Sequence, residues 1–235
     1  MEQKTMSSPV PAAGTDIELA AQGCEFCDEL ADAASSRFGR IYRGVLASRV
    51  VHASANFVVM PTLGQLFRGS LLLLPRRHFE TVAGMPARYR EELVELLPCL
   101  EQELQPLGAP VVFEHGAKAH TGRSCGIYHA HLHIVPVPRP VLAADIMPPG
   151  AQFTSDVRLA LRAVARADSY LFFKDTAGLT GYALEGAPCG SQYFRRELVK
   201  HFRLNSSWDW RDYTSPEPDL LASVNRFADA RGPVG

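Results

Sequence analysis

The stretch IYHAHLHIVPV, residues 127–137, constrains this chain more than any other. Histidine alternates with small or apolar residues, so on an extended backbone His129, His131 and His133 share one face. Ala130, Leu132 and Ile134 then share the other. A strand of this kind buries its apolar face and offers imidazoles on the opposite side. Alternate residues of a strand sit about 6.6 Å apart, which puts the outer two histidines about 13 Å from each other. A metal ion holds nitrogen ligands at roughly 2.0–2.1 Å. A neighbouring pair can share an ion with help from elsewhere, but a simple three-histidine metal site fits the spacing poorly. The pattern favours divided labour, with a central imidazole facing the substrate and neighbours that orient it or serve other sites. Imidazole is half neutral near pH 6.5 and carries no proton that it must first lose, so it attacks phosphorus well at neutral pH.

The rest of the composition narrows the class. The chain has 235 residues, 46% hydrophobic and 21% charged, which suits one large globular domain or a core with an extension. A formal net charge of −1 and the lack of Lys/Arg runs argue against a sequence-independent grip on nucleic acid. No stretch approaches the roughly 20 apolar residues of a membrane span, and residues 1–20 read as a disordered tail rather than a secretory signal. Five cysteines without a signal argue for reduced thiols and a cytoplasmic location.

Local patterns set out the remaining elements. CEFCDEL leads into a short helix, strands are expected over 40–47 and 49–61, and SLLLLPRRH is a buried strand ending at Pro75. A helix opens at Pro86, with Pro98 expected to kink or divide it. APVVFEHG is a further strand. Beyond the triad, SYLFFKDTAGLTGYALEG predicts a hairpin around TAGLT. SQYFRRELVKHF predicts a helix capped by Ser191 with Phe194, Leu198 and Phe202 in a stripe, and a last helix covers DLLASVNRFADA.

At this point the chain resembles a known family. HAHLHIVPV is similar to the histidine-triad signature, SLLLLPRRHFETV looks like that family's strand ending in proline, basic residues and histidine, and CEFCDEL resembles the CxxC opening of its zinc-binding members. The three motifs follow one another in family order over about residues 23–140. The resemblance implies an α+β fold with an antiparallel sheet of about five strands and helices packed on one side. It implies a core over 21–140, a C-terminal extension over 141–235 carrying the hairpin and helices, and a homodimer.

It also implies chemistry. The expected reaction is hydrolysis or transfer at a phosphorus–oxygen or phosphorus–nitrogen bond of a nucleotide-like substrate. His131 would be the nucleophile and His133 the group that steadies the phosphate charge. His131 then needs its other ring nitrogen held by an acceptor, often a backbone carbonyl. Cys24, Cys27, His78 and His129 would hold a structural zinc, with no organic cofactor implied. The expected partner is a small, phosphate-containing molecule.

Departures from the family pattern bear on the substrate. Thr62 stands where short members usually carry an aspartate for ribose, and a threonine cannot give a diol a bidentate carboxylate. GRSCGIYH replaces the usual glutamine–serine run, leaving Ser124 and Arg123 to contribute from one step earlier. FEHG puts Glu114 and His115 near the pocket, where Glu114 either accepts from a sugar or amine or is a solvated strand end. In the extension, Gln192, Arg195 and Arg196 fall near a helix N-terminus that suits an anion, or they form a solvated basic face. Trp208 and Trp210 read as core or interface anchors. An alternative function keeps the fold but makes His131 a general acid/base in a biosynthetic enzyme acting on a non-nucleotide or sugar-containing ligand.

Overall fold

A computed structural model describes residues 23–121, 127–184 and 189–229. The tail expected over residues 1–20 lies outside them. In the first half, α1 (Glu25–Ala31) and α2 (Arg37–Ile41) precede β1 (His52–Ala53), β2 (Phe57–Pro61) and β3 (Leu71–Pro75). The long helix α3 (Ala87–Leu104) then leads to β4 (Ala109–Ala117) and β5 (Leu132–Val137). The extension contributes α4 (Ala143–Ile146), β6 (Gln152–Thr154), α5 (Val157–Val164), the hairpin β7 (Ser169–Lys174) and β8 (Thr180–Leu184), α6 (Tyr193–Phe202) and α7 (Pro218–Asp229).

Among the described residues, all the strands join one antiparallel sheet of eight, in the order β1-β2-β3-β5-β4-β7-β8-β6. The core contributes five strands, the number expected, although 49–61 supplies two of them (β1 and β2) and 40–47 none; the extension adds three more. Unpaired, the free side of β4 would present a row of N–H and C=O groups. Here β7 covers it, with Val112 opposite Lys174 through Ala117 opposite Ser169. The sheet therefore ends on the very short strands β1 and β6.

Period-two alternation sorts the side chains into two layers. Val59, Leu71, Leu73, Val112, Leu132 and Ile134 face α3 and α5. On the other face Val111, Phe113, Val135 and Phe173 meet Phe194 and Leu198 of α6, while Val58, Met60, Leu72 and Leu74 meet α1. Helices thus cover both faces rather than one, because the strands of the extended sheet are apolar on both.

Three local expectations are corrected. Pro98 sits inside one continuous helix: it faces solvent, where water can meet the carbonyl it leaves free, while Tyr89, Leu93, Leu97, Leu100 and Leu104 hold the buried side. Residues 40–47 form the end of α2 and a turn instead of a strand. Ser36 caps α2 by accepting from the Gly39 N–H, and Phe38 stacks on Tyr42 with ring centroids 4.9 Å apart. Helix α6 is preceded by Gln192 in the left-handed region (φ 55°), not by a capping Ser191.

Candidate active site

The β5 ladder begins only at Leu132, so His129 and His131 lie in the irregular segment, bent at His129, that leads into it. The Ala130 N–H donates to the Phe79 carbonyl at 2.6 Å, pinning this segment to the chain that follows β3. Between the two imidazoles stands Phe26 of α1, edge-on to both, with centroids 5.7 Å from His129 and 5.2 Å from His131. The ring nitrogen Nδ1 of His131 lies 2.6 Å from the carbonyl of His129. A carbonyl only accepts, so Nδ1 carries the proton and the lone pair of the neutral ring resides on Nε2.

His129 belongs to a different cluster. Ligand atoms of Cys24, Cys27, His78 and His129 all lie within 4.8 Å of one another. Nδ1 of His129 is 3.5 Å from the sulfur of each cysteine, and Nδ1 of His78 is 3.4 Å from Cys27 Sγ. Tetrahedral zinc, with Zn–S about 2.3 Å and Zn–N about 2.0–2.1 Å, requires S···N edges of about 3.6 Å. The other nitrogen of His129 donates to the Pro75 carbonyl at 2.9 Å, an outer contact that fixes which nitrogen is left to a metal. The Cys27 side chain and burial push the Cys24 thiol up to about 11, and a bound dication would reverse that by favouring the thiolate. The four residues fit a closed structural ion joining α1, the end of β3 and the triad segment.

His131 and His133 open into a cavity lined by the rings of Phe26, Phe38, Phe113, Phe194 and Trp210 together with charged and polar side chains from α1, α2 and α6. His133 stacks on Phe113, centroids 4.6 Å apart, and burial holds its pKa well below the ordinary histidine value, with the charges of His131 and Arg195 adding to the effect. It is therefore neutral at pH 7. Arg195 reaches the same cavity from α6 and is 4% exposed, donating to the carbonyls of Trp208 (2.6 Å) and Gly64 (2.7 Å). Gly64 has φ +67°, and a Cβ there would come within 2.8 Å of the Tyr213 ring, so this turn closes against the extension only with glycine. The carboxylate of Glu217 takes the N–H groups of Gly64 (2.8 Å) and Gln65 (3.0 Å). The extension thus clamps the β2–β3 turn and completes the wall of its own chain's cavity.

The site residues expected from sequence divide accordingly. His131, His133, Gln192 and Arg195 line the cavity, although the Gln192 amide is engaged by Asp209 and the Trp210 N–H. Arg196 points elsewhere, donating to the Cys189 carbonyl and lying over the Trp208 ring. Ser124, together with Arg123 and Cys125, falls outside the described residues. Glu114 is a correction: it is 2% exposed and faces the α3 layer, because the register Phe113↔His133 puts Phe113 and His115 on the cavity side and Glu114 opposite. Its carboxylate accepts from the Val82 backbone N–H (2.9 Å), the Tyr170 hydroxyl and the backbone N–H of His131. Trp210, read from sequence as an anchor, lines the cavity beneath the Arg37 guanidinium. Glu25, Glu29, Arg49 and Phe38 also line it; the CEFCDEL motif contains the first two but singled out only its cysteines, and no motif marked the others.

Glu114 carries a stability prediction. Burial pushes its pKa up to about 7 from 4.5, partly offset by Tyr170 and Val82. A raised carboxyl pKa means that the stability tied to its proton is complete below about 4.5 and is lost as pH rises through about 7. The melting temperature of the protein should therefore fall between pH 5 and pH 8, and Glu114→Gln should remove that component. Glu114→Ala, which strands three buried donors, should lower the melting temperature by roughly 6–12 °C, corresponding to about 3 kcal/mol. Thermal melts of the three proteins across pH check this, and an unchanged pH slope in Glu114→Gln would refute it.

No family model matches the chain. It is 24% identical over 120 residues to the protein hit of Bacillus subtilis (strain 168), spanning 49% of this chain and 72% of that protein. Among solved structures it is similar to a zinc-bound histidine triad family protein from Mycobacterium smegmatis, at 19% identity and TM-score 0.37, covering 50% of this chain and 76% of that one. It is also similar to a HIT family hydrolase from Clostridium thermocellum, at 13% identity and TM-score 0.37, covering 56% and 99%.

Proposed function

We infer that this chain is a long-form member of the histidine-triad superfamily, and propose that it hydrolyses or transfers at a phosphorus–oxygen or phosphorus–nitrogen bond of a nucleotide-like substrate through a covalent intermediate on His131. The observation that carries this reading is the 2.6 Å contact between His131 Nδ1 and the His129 carbonyl, on a ring that lines the cavity. It leaves Nε2 as the nucleophilic nitrogen without requiring a general base. Nε2 attacks phosphorus and forms a P–N bond while the bond to the leaving oxygen or nitrogen breaks. The leaving group departs with the electron pair and gains a proton. Water or an acceptor hydroxyl then attacks phosphorus and loses its proton as the P–N bond breaks, and the electron pair returns to Nε2.

Charge developing on the phosphoryl oxygens is met by groups already in place. Neutral His133 offers an N–H without bringing a proton to be lost, and buried Arg195 supplies positive charge held by two carbonyls. The Cys24, Cys27, His78 and His129 cluster would hold zinc, whose contribution is to tie α1 to the sheet; the chemistry belongs to the next histidine along. In this reading the resident ligand is a small phosphorylated molecule.

Turnover tests the reading directly. Adenosine 5′-phosphoramidate, diadenosine polyphosphates and nucleoside diphosphate sugars, each incubated with the full chain, should include at least one that releases a nucleoside monophosphate or passes it to an acceptor. Absence of turnover across all P–N and P–O substrates would contradict the proposal.

A further inference from the structure

We propose that His115, a histidine of β4 outside the triad, moves the protons of the reaction: it gives one to the group that leaves phosphorus and takes one from the water or hydroxyl that enters. The inference rests on the preceding reading in placing the ligand's phosphorus at His131 Nε2.

Strand pairing sets the placement. β4 and β5 run antiparallel with Val111 opposite Val135 and Phe113 opposite His133. Residues directly opposed in a sheet share a face, and Phe113 accordingly stacks on His133 with centroids 4.6 Å apart. His115 is the next residue of β4 on that face, and on its other side it pairs with Leu171 of β7, which belongs to the layer beneath α6. Continued by two residues, the same register sets His115 opposite His131. The β5 ladder stops at Leu132, but the strands stay joined beyond it. The backbone N–H of His131 donates to the Glu114 carboxylate, which stands in for a ladder bond and holds His131 against this end of β4. Neighbouring strands lie about 4.8 Å apart, so the two imidazoles rise from adjacent backbone into one cavity. Both line it.

The triad itself has no proton to spare. The Nδ1 proton of His131 is held by the His129 carbonyl at 2.6 Å, and burial leaves His133 neutral. Other charged groups of the cavity are little better placed. Glu29 is tied through both oxygens to Arg49, at 2.7 Å each, and guanidinium groups do not release protons. Imidazole is the side chain best suited to give and take a proton near neutral pH, and His115 brings one to the cavity half-buried and beside the nucleophile.

The proton count closes over the two steps. In the first, His131 Nε2 forms the P–N bond and the leaving oxygen or nitrogen departs with the electron pair of its bond to phosphorus. That atom takes the N–H proton of protonated His115, whose ring becomes neutral. In the second, water or an acceptor hydroxyl enters the vacated place and forms a new P–O bond. Neutral His115 removes its proton, and the pair of the P–N bond returns to Nε2. His115 ends in the form in which it began.

Leaving-group dependence tests this on the zinc-loaded full chain. Three adenosine 5′-phosphoryl compounds differ only in what departs: 4-nitrophenolate, which leaves without a proton, phenolate, and ammonia, which cannot leave without one. Single-turnover release, with protein in excess, reads the first step alone. His115→Gln should slow release of ammonia by about 10²–10⁴-fold and of phenolate by less, while 4-nitrophenolate release changes by no more than about threefold. The 4-nitrophenyl ester also reports that the variant is folded and its nucleophile intact, so a merely structural role for His115 would show as equal loss on all three. Equal loss, no loss, or a leaving-group-selective loss in Glu25→Gln instead of His115→Gln would each overturn the assignment. His131→Asn should release none of the three. Release by that variant at the parent rate, or a parent inert on every compound, is failure of the His131 reading and takes this assignment with it. Equal loss in His115→Gln beside an inactive His131→Asn defeats the assignment of His115 alone.

Discussion

Replacing His131 with asparagine should lower kcat by about 10³-fold or more while leaving the melting temperature within a few degrees of the parent. Asparagine keeps an amide near the position of Nδ1, where His131 meets the His129 carbonyl at 2.6 Å, but it has no second nitrogen lone pair to attack phosphorus. A 10³-fold loss corresponds to about 4 kcal/mol of transition-state stabilisation. The control is His133→Asn, which should lose less, because His133 contributes an N–H rather than the bond-forming pair. Substrate affinity should change little in His131→Asn, so the effect falls on kcat and not on KM. If both variants lose activity equally and bind substrate more weakly, the two histidines are binding groups alone.

Removing the metal should have the second large effect, of a different kind. Cys24 and Cys27 belong to the start of α1, His78 follows β3, and His129 precedes β5, so one ion ties three separate segments. The same helix carries Phe26 and Glu29 into the cavity. Without the ion, two buried thiols and two imidazoles face one another with nothing to join them, and α1 loses its anchorage. A strong chelator should lower the melting temperature by more than about 10 °C, with activity lost in step and both restored by zinc. Cys24→Ser should behave like the chelated protein. Metal analysis should find one zinc per chain. Chelation that abolishes activity without moving the melting temperature would instead assign the metal to the chemistry.

The histidine segment and most of the elements were legible in sequence because each rests on short-range pattern, whereas Cys24, Cys27, His78 and His129 were grouped only through the family resemblance, and the structure brings them within 4.8 Å. Two-residue alternation pointed to β5, the apolar run in APVVFEHG to β4, and the turn residues TAGLT to the β7–β8 hairpin. What sequence left open depends on register and long-range closure. Glu114 and His115 are adjacent, so only the pairing of Phe113 with His133 decides which of them faces the cavity. Once β5 is placed beside β4, alternation removes Glu114 from the substrate side. Arg49 and Glu29 are 20 residues apart, and although Glu29 lies within CEFCDEL that motif speaks only for its cysteines, so the pair comes together only when α1 folds over the end of β2. The strand expected over 40–47 failed because the Ser36 cap and the Phe38–Tyr42 stack outweighed β-propensity. The extension could be recognised as helices and a hairpin, yet nothing local said that β7 would continue the sheet or that Arg195 would clamp the turn after β2.

The covalent step is the central claim, and one measurement addresses it most directly. The protein is mixed with a substrate it turns over, quenched in alkali within the first turnover, digested, and its peptides weighed. The account predicts a nucleotidyl mass on the peptide containing His131, mapped to that residue by fragmentation, stable to base, released by acid, and absent from His131→Asn. Rapid turnover with no adduct on this peptide at any quench time, or an adduct that persists in His131→Asn, would contradict it.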